Sequence, residues 1–209
     1  MYLAHIRTIM EENFSNQNYY NRGFYFQALT NLSVLNDTNK FYSWNDFLDN
    51  LNSTVSDLID YPGITNLMNA RDSFLIDYPG IQGAPSIGPP SYSPQNISLG
   101  DTVWINAPIS GSNHVLLAYR FGTNEKYLKT SMYDDGAHHD GNANDGVFGG
   151  VILNACNNIQ YYIYAENDSS GRFSPERAAY EYHSIQTPLS TGELVINELM
   201  AKNESTVQD

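Results

Sequence analysis

Residues 133–150 read Y-D-D-G-A-H-H-D-G-N-A-N-D-G-V-F-G-G and gather four aspartates, two asparagines, two histidines and five glycines. Asp140, Asn142 and Asn144 stand at alternate positions. At that spacing one loop turns several oxygen ligands toward a single calcium ion. With Asp134, Asp135 and Asp145 they form the candidate metal set. An EF-hand counted from Asp140 fails twice, because its sixth position is Asp145 instead of glycine and its twelfth is Val151 instead of a bidentate glutamate. The plainer alternative is turn chemistry, in which Asp and Asn side chains close tight turns and Gly supplies positive φ. Either way, a structured loop is expected at one end of a β-domain, since strand-like apolar sequence flanks it on both sides.

Other chemistry-bearing residues are sparser. His138 and His139 are adjacent, so in an extended segment they face opposite ways. A zinc site completed by His114 or His183 would lack any H-x-x-x-H or C-x-x-C spacing, and solvated loop histidines are the expectation. Cys156 sits among asparagines with no evident base and reads as a turn cysteine. In the strand pattern over 159–165, Tyr161 shares the Ile159/Ile163 face and belongs to the core, while Tyr162 and Tyr164 share the opposite face. There they form either a sugar-stacking platform or ordinary cross-strand pairs. Trp44 and Trp104 are expected as core or interdomain anchors. The N-x-S/T matches, such as Asn36 and Asn96, are what an asparagine-rich composition produces.

The elements that must position these residues fall into two kinds. Leu3, Ile6, Ile9, Met10 and Phe14 are helically spaced, as are Phe24, Ala28, Leu32 and Leu35. Ser43 reads as the N-cap of a further helix whose apolar face is Phe47, Leu48, Leu51 and Val55. The helical pattern resumes at Ile64 and runs to Tyr78. The string I-D-Y-P-G-I occurs at Ile59 and again at Ile76, a recurring helix stop. Residues 80–94 are a Pro/Gly/Ser linker and the expected domain boundary. After it the period becomes two, with strand patterns around 103–105, 114–121, 127–132, 147–153, 159–165 and 179–185. That spacing predicts a β-sandwich. The expected division is 1–79 helical, 80–94 linker, 95–188 sandwich, and 189–209 the first strand of a further domain.

Composition excludes several classes. The net charge of −13 repels phosphate backbones, so no nucleic-acid partner is expected. No run approaches the apolar length of a membrane-spanning helix, and a single cysteine allows no internal disulfide. The N-terminus lacks the basic-then-apolar order of a signal peptide and reads as a helix that begins at once, so Met1 is expected to be an internal methionine of a longer protein.

As a set, these pieces resemble a known family. Y-L-A-H-I-R-T-I-M-E-E-N-F, N-K-F-Y-S-W-N-D-F-L-D-N-L and L-M-N-A-R-D-S-F-L resemble the last helices of the spore coat protein H (CotH) kinase family. M-Y-D-D-G-A-H-H-D-G-N-A-N-D-G-V-F-G with I-Q-Y-Y-I-Y-A-E-N resembles the immunoglobulin-like module that often follows that kinase-like domain in secreted bacterial proteins, and L-V-I-N-E-L-M-A-K-N resembles the start of a lamin-tail domain. The resemblance implies an ATP-using kinase-like parent, an extracellular or cell-surface location, and the remainder of the kinase-like and lamin-tail domains as partners. This chain has no G-x-G-x-x-G loop, H-R-D segment or D-F-G, and no lysine in a recognisable ATP-binding strand. No ATP site and no catalytic residue is therefore assigned. The expectation is a non-catalytic C-terminal region whose sandwich serves as spacer or binding module; the alternative is a carbohydrate- or cell-surface-binding module, stabilised by calcium.

Overall fold

The computed structural model describes residues 1–57, 59–153, 155 and 158–187. The expected lamin-tail strand at 189–209 and Cys156 lie outside the described residues. The chain combines a helical part with antiparallel sheets. The helices are α1 (Tyr2–Ile9), which runs on into a π-helical turn (Met10–Phe14), α2 (Asn18–Asn36), α3 (Trp44–Asp49) and α4 (Ile64–Ile76). Ser43 caps α3 as its sequence predicts: Asp46 N–H donates to Ser43 Oγ (3.1 Å), and the Asp46 carboxylate accepts from Ser43 N–H (2.8 Å). The helix stops sooner than its apolar spacing suggests. Val55 instead enters β1 (Val55–Ser56), which pairs with β2 (Asp60–Tyr61). Asn50 fixes that turn, its Nδ2 donating to the carbonyls of Ser53 (3.3 Å) and Tyr61 (3.0 Å).

One sheet is built on β5 (Val103–Ser110). On one side it pairs with β8 (Val147–Ile152), and it also pairs with two short strands, β3 (Ser86–Ile87) and β4 (Ser91–Ser93). The stretch expected as a linker thus carries two strands of this sheet. Its prolines lack the N–H a ladder needs and are confined to sheet edges and breaks, so the pairing between them leaves no alternating signature. The second sheet runs β10 (Gly171–Ser174), β9 (Ile159–Glu166), β6 (His114–Arg120), β7 (Leu128–Ser131), with β11 (His183–Ile185) also on β9. Only three residues of the expected 179–185 run pair, and the chain turns ahead of them at Arg177–Tyr180. Tyr133 bridges to Gly149 and carries the chain from one sheet to the other.

The alternating patterns place one core between the sheets. Val103, Ile105, Ala107 and Ile109 of β5 meet Ile159, Tyr161, Ile163 and Ala165 of β9 and Val115 and Leu117 of β6. Tyr161 lies in this core, and burial pushes its phenol up to about 12. Strand β9 is unusual because its other face is buried too.

Helix α1 covers that second face. Ala4 packs with Tyr162, Tyr164, Phe173 and Ala178, and the His5 ring stacks on Phe173 at 4.7 Å. The helix therefore turns Ala4, Arg7 and Thr8 inward and leaves Ile9 half exposed, a rotation from the face that hydrophobic spacing alone predicts. Arg7 sets the rotation. Its guanidinium is buried, with Nε donating to Ile81 O (3.0 Å), Nη2 to Ile81 O (2.6 Å) and Ser170 Oγ, and Nη1 to Gly171 O (2.5 Å). Ser170 Oγ in turn donates to Gly80 O at 2.8 Å. Burial, reinforced by the like charge of Arg172, pushes the Arg7 guanidinium down, while Glu11 and Glu176 oppose the shift. At the rim, Arg172 pairs with Glu11 (3.2 Å) and Arg177 with Glu12 (2.8 Å). Such half-exposed pairs contribute little. The buried fork is the main tie.

Replacing Arg7 with Ala strands the carbonyls of Ile81 and Gly171 without donors. The expected cost is about 2–4 kcal/mol in urea denaturation. Arg7→Lys should recover only a minor part, because an ammonium cannot span the same acceptors. Equal stability of all three proteins would show that the fork is not the tie.

Candidate functional site

The structure places Asp134, Asp135, Asp140, Asn142, Asn144 and Asp145 in the single loop between β7 and β8, and the carboxylates close that loop on its own backbone. Asp134 accepts from the N–H groups of Asp145 (3.1 Å) and Gly146 (2.9 Å). Asp145 accepts from Asn142 N–H (3.0 Å) and Val147 N–H (2.9 Å). Asp140, only 2% exposed, accepts from three: Asp135 N–H (2.7 Å), Gly136 N–H (2.8 Å) and His138 N–H (2.9 Å). Asp135 accepts from Ala137 N–H (2.9 Å) and lies 2.8 Å from His138 Nδ1. Asn142 and Asn144 are exposed, and Asn144 takes a left-handed φ of 62°, a conformation Asn tolerates. Among the described residues no group of three or more His, Cys, Asp or Glu side chains is arranged to hold a metal ion. Calcium sites also use amide and backbone oxygens.

The electrostatics follow from these bonds. Burial pushes the Asp140 carboxyl up, but the backbone N–H groups of Gly136, Asp140 itself, His138 and Asp135 more than offset it and hold the group below the usual carboxylate range. The His138 side chain first, then Ala137 N–H, hold Asp135 low as well.

The loop does not project from the end of the domain; its histidines keep solvent access, His139 exposed and His138 half-buried, but their rings also rest on aromatic neighbours. It folds back across the outer face of β5 and β8. The His139 ring stacks on Trp104 at 4.7 Å, and the His138 ring lies 4.7 Å from Tyr133 and edge-on to Trp104 at 6.1 Å. Asn106 Nδ2 donates to His139 O at 2.5 Å. Trp104 is therefore an anchor on the outer face of its sheet, covered by this strap. Its expected place in the core is not met: it alternates with the buried Val103 and Ile105 and lies on the other face, and nothing in the sequence named its cover. The signal that was available is the pair Gly149–Gly150. A Cβ on Gly149 would sit 2.1 Å from His138 O, and one on Gly150 would meet Met132 and Leu117 at 2.8 and 3.2 Å. Strand β8 is thin on both faces, one for the strap and one for the core.

The remaining candidates separate. His114 lies 3.7 Å from Glu166, and His183 sits 3.1 Å from Ser174 Oγ against the Tyr161 ring, both in the second sheet and away from His138 and His139. Tyr162 and Tyr164 form no open platform: they are 7% and 2% exposed beneath α1 and Phe173. Period-two reasoning placed them correctly on one face, but it cannot report that a distant helix covers it. Trp44 donates from Nε1 to Asn31 Oδ1 at 2.7 Å, tying α3 to α2.

No family model and no curated protein matches this chain. Among solved structures, the Br-derivative crystal structure of BhCBM56 is similar over 49% of this chain and 88% of its own, at 14% sequence identity and a TM-score of 0.31. A likeness at that score bears on neither fold nor function.

Two outcomes are expected. Gly149→Ala should lift the strap, lower stability by about 1–3 kcal/mol, and raise acrylamide quenching of tryptophan fluorescence. Asp140→Asn should cost about 2 kcal/mol at pH 7, since an amide nitrogen then faces backbone donors. With Asp140 depressed in the folded state, its contribution is complete above the ordinary carboxylate value of about 3.9 and is lost as pH falls through the lower folded-state value. The melting-temperature gap between native protein and Asp140→Asn should hold from neutral pH to about 5 and close in stronger acid. A gap that persists unchanged at pH 2 would remove Asp140 ionisation from the account.

Proposed function

We propose that this chain is a non-catalytic accessory region of a secreted CotH-like kinase family protein, in which an immunoglobulin-like sandwich is held at a fixed angle to the end of a helical domain. The observation that carries the reading is the Arg7 joint. A spacer on a flexible tether has no use for a buried guanidinium shared between helix α1, the 80–81 turn and the β9–β10 turn. The strand order, with β3/β4–β5–β8 facing β10/β11–β9–β6–β7, supports an immunoglobulin-like assignment. Exposed apolar side chains on the helical part support its role as one end of a larger body: Phe24, Phe26, Leu29 and Leu32 on α2, Phe74 on α4, and Phe41, which is 96% exposed. No helix among the described residues is long and apolar enough to cross a membrane, and an extracellular or cell-surface setting is part of the proposal. So is the place of 189–209 at the start of a lamin-tail domain.

A second reading, a carbohydrate- or surface-binding module, draws on one observation. The outer face of β6, β9 and β11 carries Arg120 between the rings of Tyr127 (4.4 Å) and Tyr182 (5.4 Å), beyond the part that α1 covers. Calcium binding by the 134–145 loop would suit either reading. Its carboxylate oxygens already accept backbone N–H groups, so the expected melting temperature is the same in millimolar calcium and in chelator. A rise in calcium, lost in Asp140→Ala and Asp145→Ala, would instead make the loop an ion site. For the primary reading, isothermal titration with ATP and magnesium should give no saturable heat. Specific magnesium-dependent ATP affinity would overturn the non-catalytic assignment.

A further inference from the structure

One outer face of the second sheet carries Arg120 and Lys129 beside aromatic rings, in a chain whose net charge is −13. Register fixes which side chains share that face. Arg120 is opposite Gln160, Ala118 is opposite Lys129 and Tyr162, and Ser184 is opposite Gln160. The Arg120 guanidinium is held at a definite angle: Nε donates to Gln160 Oε1 at 2.8 Å and Nη1 to Thr123 O at 2.9 Å. The flanking Tyr127 and Tyr182 rings fix its plane. Among the described residues Nη2 has no hydrogen-bond partner and no carboxylate pairs with Arg120 or Lys129. Arg172 and Arg177 differ on this point, since each is neutralised by two glutamates. A guanidinium that is oriented, half-buried and unpaired by any carboxylate at its Nη2 presents a charged donor there that suits a carboxylate oxygen. The exposed Tyr182 ring beside it offers flat apolar area with a polar edge.

We infer that this face, centred on Arg120 with Lys129, Tyr182 and Gln160, binds an acidic saccharide, with a uronate carboxylate on Arg120 Nη2 and the sugar ring against Tyr182. The inference rests on the carbohydrate-binding reading and narrows it to an anionic ligand class. Lys129 adds long-range attraction that salt will screen. Gln160 fixes Arg120 and is a positioning residue.

The test is isothermal titration of the full chain with trigalacturonate, and in parallel with neutral cellotetraose and laminaritetraose. Native protein, Arg120→Gln, Arg120→Lys and Tyr182→Ala are compared, with melting curves to confirm that each is folded. The expected result is saturable trigalacturonate binding that weakens with added salt. It should fall about tenfold or more in Arg120→Gln, recover only in part in Arg120→Lys, and fall several-fold in Tyr182→Ala. Trigalacturonate affinity that is the same in folded Arg120→Gln overturns the site. Neutral-sugar binding lost in Tyr182→Ala but kept in Arg120→Gln overturns the acidic ligand while leaving the carbohydrate reading standing. Absence of any saccharide binding overturns both.

Discussion

Burying a guanidinium with no carboxylate against it is costly unless its donors find acceptors. Arg7 meets that condition with carbonyls that come from widely separated parts of the chain, Ile81 and Gly171, and with the hydroxyl of Ser170. Much follows from this one constraint. It places helix α1 over β9 and β10, turns Ala4 toward Tyr162 and Tyr164, and closes the upper part of a sheet face that would otherwise be open. It holds residues 80–81 against the 170–171 turn, so the chain enters β3 from a defined point. The outer glutamate–arginine pairs sit around the fork and shield it, contributing register more than energy.

The Asp/Gly loop solves a related problem by a different route. A polar strap lying on a sheet must satisfy its own backbone, because the strand beneath it has no free ladder to offer. Here each aspartate accepts N–H groups from within the loop, and the glycines supply the left-handed turns between them, as at Gly136, Gly141 and Gly146. The two histidines then provide the contact that a polar strap lacks, flat rings against Trp104 and Tyr133.

Much of this was legible in the sequence because it depends on neighbours. The Ser43 cap, the inward set of β9, the core position of Tyr161 and the turn chemistry of Asp135, Asp140 and Asp145 are all decided within a few residues. What escaped depends on distant partners. An arginine in an amphipathic helix reads as a solvent-facing residue, and only the convergence of residues 80, 81, 170 and 171 makes Arg7 an interior one. Tyr162 and Tyr164 fell on the correct face, but which segment covers that face is a tertiary fact. The 80–94 stretch carried the composition of a linker because edge strands interrupted by proline look like one. The strap direction of the 133–150 loop was encoded in Gly149, whose missing side chain makes room for a carbonyl that sequence cannot locate.

The interruption between β3 and β4 has a consequence for self-association. Two short strands share one side of β5, separated by Gly88-Pro89-Pro90. An uninterrupted strand there would expose a long row of unpaired amides to any passing extended chain. Prolines cannot donate to an incoming strand, and a broken edge offers no register for stacking. At the opposite end of the other sheet, β7 is only four residues long and carries Lys129, a short and charged margin of the kind that resists edge-to-edge polymerisation. The features that made this segment look like a tether also guard its edge of the sheet against joining a neighbour into fibres.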